Sequence, residues 1–324
     1  MPDTKTAVIR SDGGICSQIS FAALGRELEL LGYTVKYDLS WFEEFGADLN
    51  KKQARNYDML KAFPDLKLLE ADKDEIFYFK THYKTFKGLD RKLDDNLYID
   101  GYPEERPYLS VKHREYFIQH FKPADLDKIN DVLEKMRNTS SCAVHVRRGD
   151  LSAYNPAYGE PVSAQYFLDA MELLCLKDKN IVFYFFSDEI EWVKENILPK
   201  IEGKYKYELV NKNGADKGYL DLYAVSSAEY IIASNGSFGS AGKILSKKNA
   251  LIILPKYLNH LCRNMDNIIV LNQKETYPEE LKKEEPKDYY PKYKKYKRLY
   301  NIFLSVSLIL SAVLFCIIIK AFII

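Results

Sequence analysis

Short apolar runs alternate along the chain with segments in which apolar residues recur every three or four positions, and this alternation predicts an α/β fold. The first apolar run covers residues 7–9 and is followed by a glycine turn at Gly13-Gly14. A helix to about Leu31 and a strand over residues 34–37 come next. Because a helix separates the two strands, they are expected to pair in parallel.

The same alternation returns in the second half of the chain. It predicts strands at residues 142–146, 180–187, 207–210, 230–234 and 250–254, with 250–254 as the last strand. It predicts helices at residues 164–176, 191–195, 219–227 and after Phe238, beginning near Ser240. Between the halves the pattern predicts irregular helices and loops at 41–92, a strand at 96–102, an amphipathic helix at 125–137 and a joint at 138–141. The expectation is two α/β domains, at residues 1–138 and 139–281.

The C-terminal part of the sequence has a different character. Residues 302–324 are apolar except for small polar residues and one charge, Lys320, and a helix of this length extends about 34 Å. The preceding segment, 282–301, is rich in Lys and Tyr, as expected for a linker on the cytoplasmic side of a membrane. These features predict a single C-terminal transmembrane helix, in contact with membrane lipid, that anchors a cytoplasmic body. The alternative is an unusually apolar core helix.

Composition and charge exclude some functions. The 324 residues are 47% apolar and 29% charged, as in an ordinary globular protein, and the net charge of +1 predicts no attraction to nucleic acid. The five cysteines form no CxxC pair, which favours a reducing compartment. Residues 1–10 lack the features of a secretory signal, so the body is not expected to be exported.

The strongest candidate for chemistry is CAVHVRRGD, residues 142–150. It places polar and cationic residues at the carboxyl end of a strand, where open α/β sheets bind ligands. Arginine suits a diphosphate because its planar group donates two parallel charge-assisted hydrogen bonds. Neighbouring arginines on extended chain point in opposite directions, so one can face the ligand while the other holds the loop. The alternative is a charged turn that forms salt bridges with its surroundings.

This HxRRGD segment resembles the signature of the bacterial and animal α-1,2-fucosyltransferases. Further segments resemble that family in the same order: DGGICSQ at residues 12–18, IDGY at 99–102, FYFFSDE at 183–189, DLY at 221–223 and IASNGSFG at 232–239. Two positions depart from the family pattern. Ser17 stands where Asn is usual, and Ser240-Ala241 stand where a Trp pair is usual, which puts the sugar pocket and the choice of acceptor in question.

The resemblance implies a GT-B architecture, in which two Rossmann-like domains face each other across a cleft. It implies an inverting transfer of L-fucose from GDP-fucose to the 2-hydroxyl of a terminal galactose in a surface glycan, with no metal and no cofactor beyond the donor. Position in the motif assigns the diphosphate to Arg147 and loop ordering or a second phosphate contact to Arg148, with Asp150 as a further catalytic candidate. The remaining implied donor contacts are His145 and Asp188 at the guanine, Asn235, Ser237 and Phe238 at phosphate or ribose, and Gly14 and Gln18 in the opening turn.

Other functions remain open at this point. The chain has no GxGxxG, P-loop, HExxH or GxSxG motif and no Cys/His metal spacing. The alternatives are a membrane-tethered module that binds a nucleotide sugar without turnover, and a fucosyltransferase of another linkage.

Overall fold

The structure is a computed structural model that describes residues 5–47, 54–85, 95–101, 106–149, 151, 161–210, 217–255, 262 and 265–271. Residues 1–274 form one compact unit and residues 275–324 a second, which lies outside the described part. The predicted linker, 282–301, and the predicted transmembrane segment, 302–324, therefore also lie outside it. Among the described helices, none has the length and apolar character needed to cross a membrane.

The first half builds a sheet of five parallel strands in the order β3-β2-β1-β5-β4. The strands are β1 (Thr6–Arg10), β2 (Thr34–Asp38), β3 (Leu69–Glu70), β4 (Lys84–Thr85) and β5 (Leu97–Ile99). The helices are α1 (Ile15–Leu30), α2 (Ser40–Glu44), α3 (Met59–Ala62), α4 (Lys73–His82), α5 (Arg106–Lys112), α6 (Arg114–His120) and α7 (Asn130–Arg137), with a 3₁₀ helix at Leu126–Ile129. The turn after β1 needs a glycine, since Gly13 has φ +71°.

The second half builds a sheet of six parallel strands in the order β11-β10-β9-β6-β7-β8. The strands are β6 (Ser141–Val146), β7 (Val182–Ser187), β8 (Lys206–Leu209), β9 (Tyr230–Ala233), β10 (Leu251–Pro255) and β11 (Ile268–Leu271). The helices are α8 (Ala164–Lys177), α9 (Ile190–Asn196), α10 (Leu198–Ile201), α11 (Gly218–Ser227) and α12 (Phe238–Leu245). Every residue of β6 is buried, as expected for a central strand covered on both faces.

The six-stranded sheet has a point where the strand order reverses. It lies between β6 and β9, because the chain proceeds from these two strands toward opposite edges of the sheet. Loops after two strands that meet at such a point leave in opposite directions and open a crevice at the carboxyl edge. The loops after β6 and β9 carry Arg147, Arg148, Asn235 and Ser237, and Asp188 follows the neighbouring strand β7. The loop after β1 carries Gly14.

The two halves pack together through α11 and α12, which contact α3, α6 and α7. Arg114 donates from Nε to the carbonyl oxygen of Ile244 at 3.3 Å and from Nη2 to that of Ser246 at 3.1 Å. A guanidinium at the C-terminal end of α12 satisfies carbonyls that have no partner within the helix. The Phe121 and Tyr223 rings meet edge-on with centroids 5.1 Å apart. The predicted domain boundary at 138/139 stays a prediction.

The structure corrects several predicted elements. Residues 250–254 are not the last strand, because β11 follows at the edge of the sheet. The four residues of β11 are all apolar, but no strand was predicted there. The predicted helix at 125–137 is a 3₁₀ turn followed by α7. Helix α12 begins at Phe238 rather than near Ser240. Helices α5 and α6 were not predicted at all.

Packing of α12 against β9 leaves no room for a side chain at Gly239. A Cβ there would lie 2.3 Å from the Cβ of Ala233 and 3.1 Å from its Cα. We expect Gly239→Ala to lower the free energy of unfolding by about 1–3 kcal/mol, since helix and strand must separate. Urea unfolding measures this, with Gly218→Ala as the control, because a Cβ at Gly218 meets no atom within 4 Å. Equal stability of the two variants would contradict the close packing.

Candidate active site

The loop after β6 is held in part by the carboxylate of Asp188. Asp188, just beyond the end of β7, accepts the backbone N–H of Arg148 at its Oδ1 (2.9 Å) and that of Gly149 at its Oδ2 (3.1 Å). Gly149 packs so closely that a Cβ there would lie 3.0 Å from Oδ2. The Nε of Arg147 lies 3.9 Å from the same oxygen. In this structure Asp188 therefore orients the loop that carries both arginines.

The Arg148 side chain is used within the protein. Its guanidinium stacks over the Trp192 ring, 3.8 Å from the centroid, and its Nη1 donates to the carbonyl oxygen of Val162 at 3.3 Å. Such stacking on an aromatic face stabilises a partly buried cation. These contacts support the loop-ordering alternative of the two predicted for this residue.

A backbone hydrogen bond holds Arg147 at the point between β6 and β9 where the strand order of the second sheet reverses. Its N–H donates to the Ser234 hydroxyl at 3.0 Å, which ties the end of β6 to the end of β9. Its side chain is 22% exposed. The guanidinium thus reaches the carboxyl edge, where an anionic ligand can approach it. Asp150, predicted beside it, lies outside the described residues.

His145 lies beneath this loop, inside the sheet. Its Nδ1 is 3.2 Å from the Ser234 hydroxyl, and its ring stacks on that of Phe238 with centroids 4.7 Å apart. Burial, with the positive charge of Arg147 as a smaller cause, lowers the pKa of His145 to about 3. The imidazole is therefore neutral near pH 7. The predicted guanine contact of His145 stays a prediction.

The turn from β9 into α12 carries Asn235, Ser237 and Phe238, so the structure brings these three close to Arg147 and His145. Asn235 is buried, and Ser237 is the N-cap residue of α12. The Ser237 hydroxyl contacts the Cys16 thiol, which belongs to the first half of the chain. Ser240 and Ala241, which replace the family's Trp pair, are buried within α12. In this chain those two positions serve the packing of the helix.

The glycine turn after β1, in the first half of the chain, carries the remaining candidate residues. Gly14 is the N-cap residue of α1, and Cys16 lies in the first turn of that helix. Burial raises the pKa of the Cys16 thiol to about 12, although the Ser237 hydroxyl and the charges of Arg147 and Arg55 act in the opposite direction. The thiol is therefore protonated at neutral pH. Its contact with Ser237 joins the start of α1 to the loop after β9.

Gln18, predicted as a donor contact, is only 1% exposed. Its Nε2 donates to the carbonyl oxygens of Gly13 (3.0 Å) and Asn56 (2.8 Å), and its Oε1 accepts from the N–H of Asp58 (2.8 Å). Both amide hydrogens are thereby occupied. In this structure Gln18 acts by fixing the glycine turn to the chain at 56–58, and its direct contact with a donor stays a prediction.

Sequence reasoning did not single out four residues at this site: Ser234, Trp192, Cys16 and Arg55. Ser234 and Cys16 lie within segments that resemble the family motifs. The sequence therefore indicated that they are near the site, but it did not indicate their roles. Trp192 and Arg55 carry no local signal, because their partners are distant in sequence.

Two cavities in the described part of the chain lie away from the candidate site. Their volumes are about 550 and 510 Å³, and they are lined by residues near the amino ends of β7 and β8 and of β10 and β11. That edge is opposite to the one carrying Arg147. Among the described residues, no three His, Cys, Asp or Glu side chains come together as a metal ion would require.

Comparison with known proteins identifies the family. The model of glycosyl transferase family 11 matches residues 47–268, which is more than half of the chain. An alpha-1,2-colitosyltransferase of Escherichia coli is 28% identical over 189 residues, and the match covers 55% of this chain. It covers 59% of that protein's length.

Solved structures of low identity are also similar. POFUT1 in complex with GDP gives a TM-score of 0.43 at 10% identity, covering 76% of this chain and 96% of that chain. A variant of Arabidopsis thaliana FUT1 in complex with GDP gives 0.45 at 11% identity, covering 78% and 70%. E. coli heptosyltransferase WaaC with ADP gives 0.38 at 10% identity, covering 82% and 90%. On the match of the family model, this chain belongs to glycosyl transferase family 11.

Proposed function

We propose that this protein transfers L-fucose from GDP-fucose to the 2-hydroxyl of a terminal galactose in a glycan. The observation that carries the proposal is the position of Arg147 at the carboxyl edge between β6 and β9, where Ser234 and Asp188 hold the backbone N–H groups of residues 147–149. Membership of family 11 and the α-1,2 linkage in the name of the E. coli relative support the reaction class.

The chemistry follows from the leaving group. The acceptor hydroxyl attacks the anomeric carbon of fucose on the face opposite to GDP, so a β donor linkage becomes an α product. GDP gains negative charge as the bond breaks, and a fixed guanidinium donates two hydrogen bonds to that charge where it develops. Ser234 and Asp188 hold the backbone of Arg147 and Arg148, which limits the reorganisation of this loop during the step.

Colitose is a second candidate for the transferred sugar. The observation in its favour is the likeness to the E. coli alpha-1,2-colitosyltransferase. Colitose lacks the 3-hydroxyl of L-fucose, so a pocket built to hydrogen-bond that hydroxyl discriminates strongly between the two, whereas an apolar pocket does not. Which sugar is used depends on groups around its 3-position.

The deciding experiment incubates the purified protein with GDP-fucose or GDP-colitose and a panel of β-galactosides, and reads the product linkage by NMR. An α-1,2-fucosylated product is the expected result. Transfer from GDP-colitose alone would establish the second candidate. Binding of GDP with no transfer to any acceptor would support the alternative of a nucleotide-sugar-binding module.

Metal dependence offers a separate test. We expect transfer to survive EDTA, because the Arg147 guanidinium takes the part that a divalent cation plays in metal-dependent transferases. Initial rates with and without EDTA, followed by addition of Mg²⁺ or Mn²⁺, measure this. Loss of activity in EDTA with full recovery on adding metal would contradict the assigned mechanism.

We also propose that the two halves form a GT-B arrangement around the donor and that residues 302–324 anchor the protein in a membrane. The support for the first is two parallel sheets whose candidate residues contact one another through Cys16. The support for the second is the apolar sequence alone. Truncation after about residue 290 is expected to release an active protein from the membrane fraction. A full-length protein that fractionates as soluble would contradict the anchor.

A further inference from the structure

The chain between α2 and α3 is fixed against the glycine turn. Arg55 N–H donates to the carbonyl oxygen of Gly46 at 2.8 Å, and Ala47 and Ala54 form an antiparallel bridge. The Gln18 side chain then binds two residues that follow Arg55. It donates to the Asn56 carbonyl oxygen and accepts from the Asp58 N–H. None of these contacts involves the Arg55 side chain. The backbone position of Arg55 is therefore fixed by the surrounding fold.

The Arg55 guanidinium lies directly over the glycine turn. Its Nη1 is 3.6 Å from the point where a Cβ of Gly14 would be. Gly14 caps α1, whose first turn contains no acidic side chain. The first N–H groups of a helix have no intrahelical acceptors, and together they favour a nearby anion. Arg55 therefore adds a full positive charge at a position where the backbone is already electropositive.

A second guanidinium approaches the same place from the other half of the chain. Arg147 and Arg55 both act on the Cys16 thiol, and both lower its pKa against the effect of burial. An anion bound between the two guanidinium groups is attracted by both of them. Arg148 is held by Trp192 and Val162, so the loop after β6 directs only one of its two arginines to this region.

We propose that Arg55 is a second diphosphate-binding residue, which holds the donor from the first half of the chain while Arg147 holds it from the second. This inference rests on the proposed function and extends it, since it assigns the diphosphate to both halves. A nucleoside diphosphate offers anionic oxygens on two phosphates, enough for two guanidinium groups to bind at once. Binding of the donor then draws together the loops after β1 and β6.

The test measures GDP and guanosine binding by titration of the full-length protein and its variants. Arg55→Ala is expected to weaken GDP binding by about tenfold or more, the effect of losing a charge-assisted hydrogen bond, while guanosine binding stays unchanged. Arg55→Gln keeps the aliphatic part of the side chain without the charge, and it is expected to weaken GDP binding as Arg55→Ala does. This second variant keeps the test valid if the alanine variant folds poorly. Arg55→Lys is expected to be intermediate.

Arg137→Ala is the matched control, because Arg137 is exposed on α7. It is expected to bind GDP as the unchanged protein does. Equal GDP binding by Arg55→Gln and the unchanged protein would overturn the inference. Equal weakening of GDP and guanosine would also overturn it, because it would indicate a structural role rather than a phosphate contact. If the unchanged protein binds no GDP, the proposed function itself fails, and the two failures are thereby distinguished.

Discussion

Replacement of Arg147 by Ala is expected to lower kcat/KM for fucosyl transfer by on the order of 100-fold or more, comparable to the loss of a principal charge-stabilising donor. The fall in kcat/KM should exceed the weakening of GDP binding, because the interaction strengthens as the diphosphate gains charge toward the transition state. Lys is expected to be a poor substitute, since it offers a point charge instead of a planar pair of donors. Initial rates over a range of donor concentrations measure both quantities.

Arg148→Ala provides the internal comparison. Its guanidinium stacks on Trp192, so this variant should lose thermal stability together with activity. Arg147→Ala should keep its thermal stability, because its side chain reaches the edge of the sheet. A stable but inactive Arg148→Ala beside an active Arg147→Lys would reverse the two roles. Full activity of both alanine variants would remove the basis for assigning the diphosphate to this loop.

Asp188→Ala is expected to have the second largest effect on transfer. We expect this effect to arise because Asp188 orients the loop after β6. Two backbone N–H groups lose a charged acceptor, and the free energy of unfolding should fall by about 2–3 kcal/mol. Transfer should fall by on the order of 100-fold, because a displacement of about 1 Å in a catalytic group has that consequence. Asp188→Asn should lose activity too, since its amide NH₂ opposes one of the two N–H donors.

Comparison of GDP with IDP separates the loop role of Asp188 from a guanine contact. IDP lacks the 2-amino group, so a carboxylate that binds this group makes the unchanged protein prefer GDP, and Asp188→Asn would lose the preference. The loop role leaves the preference unchanged while the rate falls. Glu195→Gln, an exposed carboxylate on α9, is the control and should be neutral. Normal stability and normal rates in Asp188→Ala would contradict both roles.

Local sequence pattern was sufficient for the regular elements that lie at the centre of each sheet. The central residues of strands β1, β7 and β9 and all residues of β6 are buried, and most of them are apolar, which makes these strands recognisable from the sequence. Edge elements were predicted less well. Strand β11 was not predicted, although its four residues are all apolar, because a run of four residues is short and lies at the partly exposed edge of the sheet. The position of the candidate residues at strand ends follows from the same local information.

The roles of the individual side chains were decided by the tertiary structure. Motif position alone left two alternatives for Arg148, and the choice depends on Trp192 of α9, over whose ring the Arg148 guanidinium stacks. Asp188 reaches its partner across 40 residues, and Gln18 reaches Asn56 across 38.

By itself, then, the sequence determined the α/β class, the strand ends that carry the polar residues and the resemblance to a family. The hydrogen bonds by which a polar group holds a loop are seen only where the sheets bring distant residues into contact. The physical reason is that helix and strand periods depend on neighbouring residues. A hydrogen bond or an ion pair depends on which group packing places within about 3 Å, and that group is often far away in sequence.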